Sequence, residues 1–334
     1  MQASLHCRTE IIILFSSTNP NMSDELAHDF SPLFKIYKDG RIERLMGTDT
    51  VPPSVHPQTG VESKHVMISN ETGLYARLYI PKSTTTSSTK LPLLVYFHGG
   101  GFCVETASSP TYHNYLNSLV AEANVVAVSV DFRRVPEYPL PVAYNDSWDA
   151  LKWVASHSDG SGSEEWLNNH ADLQKLFFSG DSSGGNIAHN MAVKVGSEGL
   201  VGVKLIGIVL VHPFLWGQEP IGGESTMTAV QREYLDSMWR FVYPLTSGSD
   251  DPLLNPGKDP KLGGLGCEKV LVCVAENDTL RHRNWYYSEV LRKSGWKGAV
   301  EVLEAKGEGH VFHLFNPTCD SAQAMLKKIT SFIN

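Results

Sequence analysis

From residue 74 onward, short runs of apolar residues alternate with stretches whose apolar positions recur at helical spacing. Leu74–Ile80, Leu91–Phe97, Val125–Val130, Leu176–Ser179, Leu205–Val211, Lys269–Val274 and Val300–Glu304 read as strands. Several are apolar at consecutive positions, the pattern of strands covered on both faces. Between them, Ala143–His157, Gly185–Val195, Asn284–Ser294 and Ser321–Ile333 read as amphipathic helices. This alternation predicts an α/β chain built of β-α-β units around a largely parallel sheet. Two segments break the rhythm. Ser83–Thr89 is rich in Ser and Thr and reads as a flexible hairpin loop, and residues 214–255, which carry Trp216, Trp239, Phe241 and Tyr243, read as an inserted lid.

Length and composition narrow the picture. A chain of 334 residues, 42% hydrophobic and 19% charged, suits one large soluble domain, and residues 22–334 show no linker or repeat that would divide it. A net charge of -8 disfavours nucleic acid and anionic membrane surfaces as partners. Cys7, Cys103, Cys267, Cys273 and Cys319 are odd in number and form no C-x-x-C pair, so they read as reduced thiols in a cytoplasmic protein, with Cys103 a small buried apolar residue. The run Ile11–Phe15 is too short for a signal-peptide core, and no later run is long enough to cross a bilayer. Residues 1–21 read as a loose extension, with Met22 an alternative start to Met1.

The chemistry-bearing motif is Gly180-Asp181-Ser182-Ser183-Gly184, a G-x-S-x-G placed between a strand and a helix. At such a turn the serine is held in a strained backbone conformation that presents its hydroxyl, and Gly180 and Gly184 omit side chains that would collide there. Ser182 is the candidate nucleophile. Upstream, Leu91–Phe97 runs into His98-Gly99-Gly100-Gly101, whose glycines let backbone N–H groups face a substrate carbonyl. Gly100, Gly101 and Ser183 are the candidate oxyanion donors, and His98 is expected to orient the loop. The spacing is not that of a nucleotide-binding loop.

A serine hydroxyl needs an imidazole to take its proton and a carboxylate to orient that imidazole. Asp278 follows the Lys269–Val274 strand and is the candidate acid, with Glu276, Asp250 and Asp251 as alternatives. His310, in a glycine-flanked loop after the last strand, is the candidate base, with His313 as its rival; His189, His212 and His282 have no comparable context. The chemistry needs neither a metal nor an organic cofactor.

His98–Phe102, Gly180–Asn186 and the Asp278 and His310 loops together resemble the plant carboxylesterase family, within the hormone-sensitive-lipase-like branch of α/β hydrolases. The likeness runs from Asp29, through Tyr37–Arg44 and Val130–Glu137, to the C-terminus. It implies an α/β-hydrolase fold with an eight-stranded, mostly parallel sheet, capped by N-terminal helices (about residues 22–50) and by the 214–255 insertion. It implies hydrolysis of small-molecule carboxylic esters through a serine acyl-enzyme. The family also includes 2-hydroxyisoflavanone dehydratases, which carry Thr at the position of Ser182, and gibberellin receptors, which lack the histidine at the position of His310. The sequence departs from the family where it reads Phe132-Arg133-Arg134-Val135-Pro136-Glu137-Tyr138 for Tyr-Arg-Leu-Ala-Pro-Glu-His, and His282-Arg283-Asn284 for Asp-Arg-Gly.

Overall fold

The computed structural model describes residues 24–85 and 89–334. In chain order the elements are β1 (Leu26–Phe30), β2 (Phe34–Tyr37), β3 (Ile42–Arg44), β4 (Glu62–Ser69), β5 (Leu74–Ile80), β6 (Leu91–Phe97), α1 (Pro110–Ala123), β7 (Val126–Asp131), α2 (Val142–Ala155) and α3 (Glu165–His170). They continue with β8 (Ala171–Asp181), α4 (Ser183–Glu198), β9 (Leu205–Val211), α5 (Ala229–Val242), β10 (Lys269–Ala275), α6 (Arg281–Lys293), β11 (Ala299–Ala305), α7 (Phe312–Phe315) and α8 (Asp320–Ile333). Eight strands form one sheet in the order β11-β10-β9-β8-β6-β7-β5-β4. Only β5 runs against its neighbours, so the sheet is mostly parallel, as its two-sided apolar strands require.

The period of two along a strand divides the core in two. On β6, Leu93, Val95 and Phe97 join Ala143, Leu151 and Ile187 of α2 and α4, while Leu94 and Tyr96 join Leu116, Leu119, Ile329 and Phe332 of α1 and α8. The strands therefore end in loops held from both faces, and those loops carry the motifs.

Three differences from the sequence pattern have plain causes. First, the described part of the 22–50 cap is a three-stranded antiparallel sheet, β1-β2-β3, rather than helices. Lys38-Asp39-Gly40 turns β2 back on β3: Gly40 adopts φ +87°, and the Arg41 N–H donates to Asp39 Oδ1 at 2.9 Å. Second, β4 and α1 escape the pattern. Glu62–Ser69 is an edge strand of mixed polar and apolar residues with Glu62, His65 and Met67 exposed, whereas α1 does carry apolar positions at 112, 115, 116, 119, 120 and 123 behind a Pro at its first turn. Third, Ser83–Thr89 does not close a hairpin, since β7 lies between β5 and β6. Residues 86–88 fall outside the described residues, as do 1–23, which include Cys7, Ile11–Phe15 and both candidate start methionines.

The cap sheet is pinned at its end by Arg44. Its guanidinium donates to the carbonyls of Cys103 and Val135, at 2.8 and 3.1 Å, and grips both carboxylate oxygens of Glu137. Phe30 and Phe34 then pack on Phe241 of α5 with ring centroids 5.0 and 5.6 Å apart, so the N-terminal sheet and the insertion meet in one roof.

Candidate active site

Ser182 stands between the end of β8 and the start of α4 with φ 51° and ψ -119°, a backbone conformation that L residues rarely adopt. Its surroundings impose this geometry. The Ser182 N–H donates to the Val211 carbonyl at 2.9 Å, and its carbonyl accepts from Phe214 N–H at 2.8 Å. A methyl group on Gly180 would lie 2.3 Å from the Gly184 carbonyl oxygen, and one on Gly184 would lie 2.0 Å from that of Phe97. The two motif glycines are thus what allows the turn to press against β6.

His310 and Asp278 converge on this serine from the ends of β11 and β10. Ser182 Oγ lies 3.0 Å from His310 Nε2, and His310 Nδ1 lies 2.7 Å from Asp278 Oδ2. These partners fix the tautomer: Nδ1–H donates to the carboxylate and Nε2 accepts the serine O–H. Asp278 Oδ1 accepts the Leu280 N–H at 2.9 Å, so both of its oxygens are engaged. Burial pushes the Asp278 carboxyl up, but the adjacent imidazole and these hydrogen bonds outweigh it and hold the group below its ordinary value. Burial likewise pulls His310 down, and Asp278 reverses this, leaving the imidazole raised above 6.5. The His310 side chain is 37% exposed while that of Asp278 is 2% exposed, which leaves the imidazole open to the cavity and its partner shielded from water.

The glycine loop lies alongside. Gly100 and Gly101 adopt φ +98° and +60°, and among the described residues no protein acceptor takes either N–H. Ser183 opens α4, where backbone N–H groups have no intrahelical acceptor. The Gly99 N–H donates to Tyr112 Oη at 2.8 Å, fixing the loop's first turn. His98 is fully buried, stacked on Phe132 at 4.3 Å, and its Nδ1 pairs with the Gly99 carbonyl at 2.8 Å. Burial pushes its imidazole down to about 3, so it is a neutral brace for the loop rather than a base.

The competing candidates lie elsewhere in the network. Glu276 binds Lys306 and the Gly307 N–H, Asp250 binds Asn255 and the Gln218 N–H, and Asp251 caps the turn at Thr246–Ser247. His313 is 2% exposed, packs edge-on against Tyr115 and is pushed down to about 3 by burial. His189 pairs with Tyr287 Oη. Trp216 and Trp239 are fully buried, their indole N–H groups donating to Asp236 and Thr246, and neither lines the cavity above Ser182. The insertion reaches that cavity through Phe214, Tyr234, Leu235 and Met238 instead. Its volume is about 450 Å³.

Two residues that the sequence pattern passes over support the site. Asp181, the variable residue of the serine motif, is buried and accepts the hydroxyls of Tyr96 and Tyr112 at 2.7 and 2.9 Å; burial raises its carboxyl to about 6. His212 lies beneath His310, and its Nδ1 accepts the Val311 N–H at 2.9 Å, tying down the loop that carries His310. His212, Asp278 and His310 offer donor atoms within 4.8 Å of one another, a composition that could hold a metal ion. Their ring nitrogens are already committed: His212 Nδ1 accepts from Val311 N–H, which leaves the proton on Nε2, while His310 donates Nδ1–H to Asp278 and accepts from Ser182 at Nε2. The donor set does not fit a metal. Among the described residues the cysteines are free, and Cys103 is a buried thiol outside the cavity.

The matching family models are the α/β-hydrolase fold, over residues 94–314, and the carboxylesterase family, over residues 44–136. The chain is 49% identical over 315 residues to "Probable carboxylesterase 7" of Arabidopsis thaliana, covering 94% of this chain and 100% of the relative. The chain belongs to the plant carboxylesterase family. Within that family it is also 42% identical to a 2-hydroxyisoflavanone dehydratase of Glycyrrhiza echinata, over 95% of this chain and 99% of the relative. Among solved structures, a thermophilic carboxylesterase cloned from a metagenomic library superposes with a TM-score of 0.67 at 27% identity, covering 85% of this chain and 90% of that one. No helix among the described residues is long and apolar enough to cross a membrane.

Proposed function

We propose that this chain is a serine carboxylesterase that hydrolyses small-molecule carboxylic esters through an acyl-enzyme on Ser182. The observation that carries the reading is the continuous chain of hydrogen bonds from Ser182 Oγ through His310 to Asp278, at 3.0 and 2.7 Å. Ser182 Oγ attacks the ester carbonyl as His310 Nε2 takes its proton, and Asp278 steadies the imidazolium. The N–H groups of Gly100, Gly101 and Ser183 receive the oxyanion. His310 then protonates the leaving alcohol, and a water activated by the same imidazole releases the acid and restores Ser182. Neither step calls for a metal or an organic cofactor.

Residues 24–50 and 214–255 act as the cap of one catalytic unit, and the reduced thiols and acidic surface support a cytoplasmic protein without nucleic-acid or membrane partners. Relatives named as dehydratases make elimination the reading to test against. Wild-type protein is expected to hydrolyse p-nitrophenyl esters of short carboxylic acids. If it hydrolyses none of them and dehydrates 2-hydroxyisoflavanone, the esterase reading fails.

A further inference from the structure

Among the described residues, three carboxylate residues line the cavity above Ser182: Asp181, Asp278 and Glu105. Two are engaged. Asp181 accepts the hydroxyls of Tyr96 and Tyr112, and Asp278 accepts from His310 and the Leu280 N–H. Glu105 is different. It is 7% exposed, its Oε2 is buried without a hydrogen-bond partner, and among the described residues its carboxylate forms no ion pair. Among the described residues, no Lys or Arg lines the cavity.

A buried carboxylate oxygen without a donor is costly, because it has left water and gained no hydrogen bond in exchange. The fold nevertheless holds it in place. Glu105 follows the glycine loop with φ +67°, a left-handed conformation unfavourable for a non-glycine residue, and its carbonyl is clamped by Arg134 Nη1 at 2.7 Å. From the cap, Gly47 lies so close that a methyl group on it would come within 2.5 Å of Glu105 N and 2.9 Å of its Cδ. Backbone conformation, an arginine clamp and the roof together hold the side chain at the cavity wall, where a ligand can supply a donor to its carboxylate.

Given the esterase reading above, on which this rests, we propose that Glu105 is a specificity-determining residue: it accepts a hydrogen bond from a free hydroxyl on the ester, in its acyl or its alcohol part. A hydroxyl suits the site because the neighbouring walls, Leu33, Met46, Tyr234 and Met238 among them, accept an apolar skeleton, and a neutral donor reaches the carboxylate without bringing a second charge out of water. Methylating that hydroxyl removes the donor and leaves Glu105 buried and unpaired beside the substrate.

The test uses two series of esters of graded length. One comprises p-nitrophenyl esters of hydroxy acids, and the other comprises monoacetates of diols followed by pH-stat; each compound is paired with its O-methyl ether. In at least one pair, wild type should prefer the hydroxyl compound in kcat/KM by about 10-fold to 100-fold, the range of a hydrogen bond to a charged group. Glu105→Leu should bring that ratio close to one while leaving the methyl ether's kcat/KM within about twofold, which also shows that the variant folds. Glu105→Gln, which keeps one acceptor oxygen, should fall between the two. Unchanged ratios in Glu105→Leu across both series would overturn the proposal, and so would a p-nitrophenyl amino-acid ester that outperforms its hydroxy analogue in a Glu105-dependent way, since the site would then select a cation. If wild type hydrolyses neither series, the esterase reading falls by itself. Calorimetric binding of the hydroxy compounds and their ethers to Ser182→Ala, with and without Glu105→Leu, then decides the role of Glu105 by the same ratio.

Discussion

Alanine at position 184 isolates the role of the close contact between the serine turn and β6. The added methyl would sit 2.0 Å from the Phe97 carbonyl oxygen and 2.6 Å from that of His98, whereas ordinary contact starts at 3.4 Å, so one backbone must retreat by about 1.4 Å. Neither partner is a flexible side-chain end. Overpacking of this kind costs about 1–3 kcal/mol, a drop of several degrees in Tm for a protein of this size. The larger effect is on turnover, because the displaced segment carries Ser182 and the Ser183 N–H. A misplacement of about 1 Å costs on the order of 100-fold in rate. Gly184→Ala should therefore lower kcat for a p-nitrophenyl ester by about 100-fold or more in protein that remains folded by circular dichroism. The control is Gly264→Ala, where a methyl meets nothing within 4 Å, and both Tm and kcat should stay at wild-type values. A folded Gly184→Ala with wild-type kcat would refute the argument that the glycines create the geometry of the site.

Two further outcomes concern protons. His310 must be neutral to accept the serine proton, and Asp278 holds its imidazole above 6.5, so kcat/KM should fall on acidification with a midpoint above that value. Asp278→Asn should move the midpoint down and reduce kcat by about 10⁴-fold; an unmoved midpoint would contradict the assignment of Asp278 as the partner. Asp181 titrates near 6 in the folded protein against 3.8 unperturbed, so the unfolded state releases its proton first as pH rises. The resulting destabilisation is absent below about pH 4 and complete above about pH 6, where it reaches about 3 kcal/mol. Urea unfolding should show Asp181→Asn gaining stability relative to wild type between pH 4 and pH 7.5, and an equal difference at both pH values would contradict it.

Much of the site was legible because its determinants are local. Gly180 and Gly184 stand where a side chain would strike a backbone carbonyl, Gly100 and Gly101 adopt the positive φ that favours glycine, and Asp278 and His310 follow apolar strands that announce themselves. What the pattern missed is set by tertiary packing. Asp181 looks like a solvated loop residue until Tyr96 and Tyr112 from β6 and α1 close over it, and His212 acquires a role only when the His310 loop folds onto β9. Glu105 reads as one more polar residue after the glycine run, and its burial depends on Gly47 from the bend after β3, 58 positions away. The cap itself was misread as helical, since the hairpin at Lys38-Asp39-Gly40 is a short turn signal between strands of only three to five residues. Nothing local tells whether Trp216 and Trp239 of the insertion face a cavity or a core; their indole nitrogens find partners inside the insertion and their rings complete its core.

The reading stands or falls on which oxygen becomes acylated. A fluorophosphonate probe, which phosphonylates an activated serine, followed by intact-mass and peptide analysis, answers this directly. One adduct per chain on the peptide containing Ser182, absent from Ser182→Ala together with about 10⁶-fold of the esterase activity, is the predicted result. An adduct on another residue, or a Ser182→Ala protein that hydrolyses esters as wild type does, would contradict it.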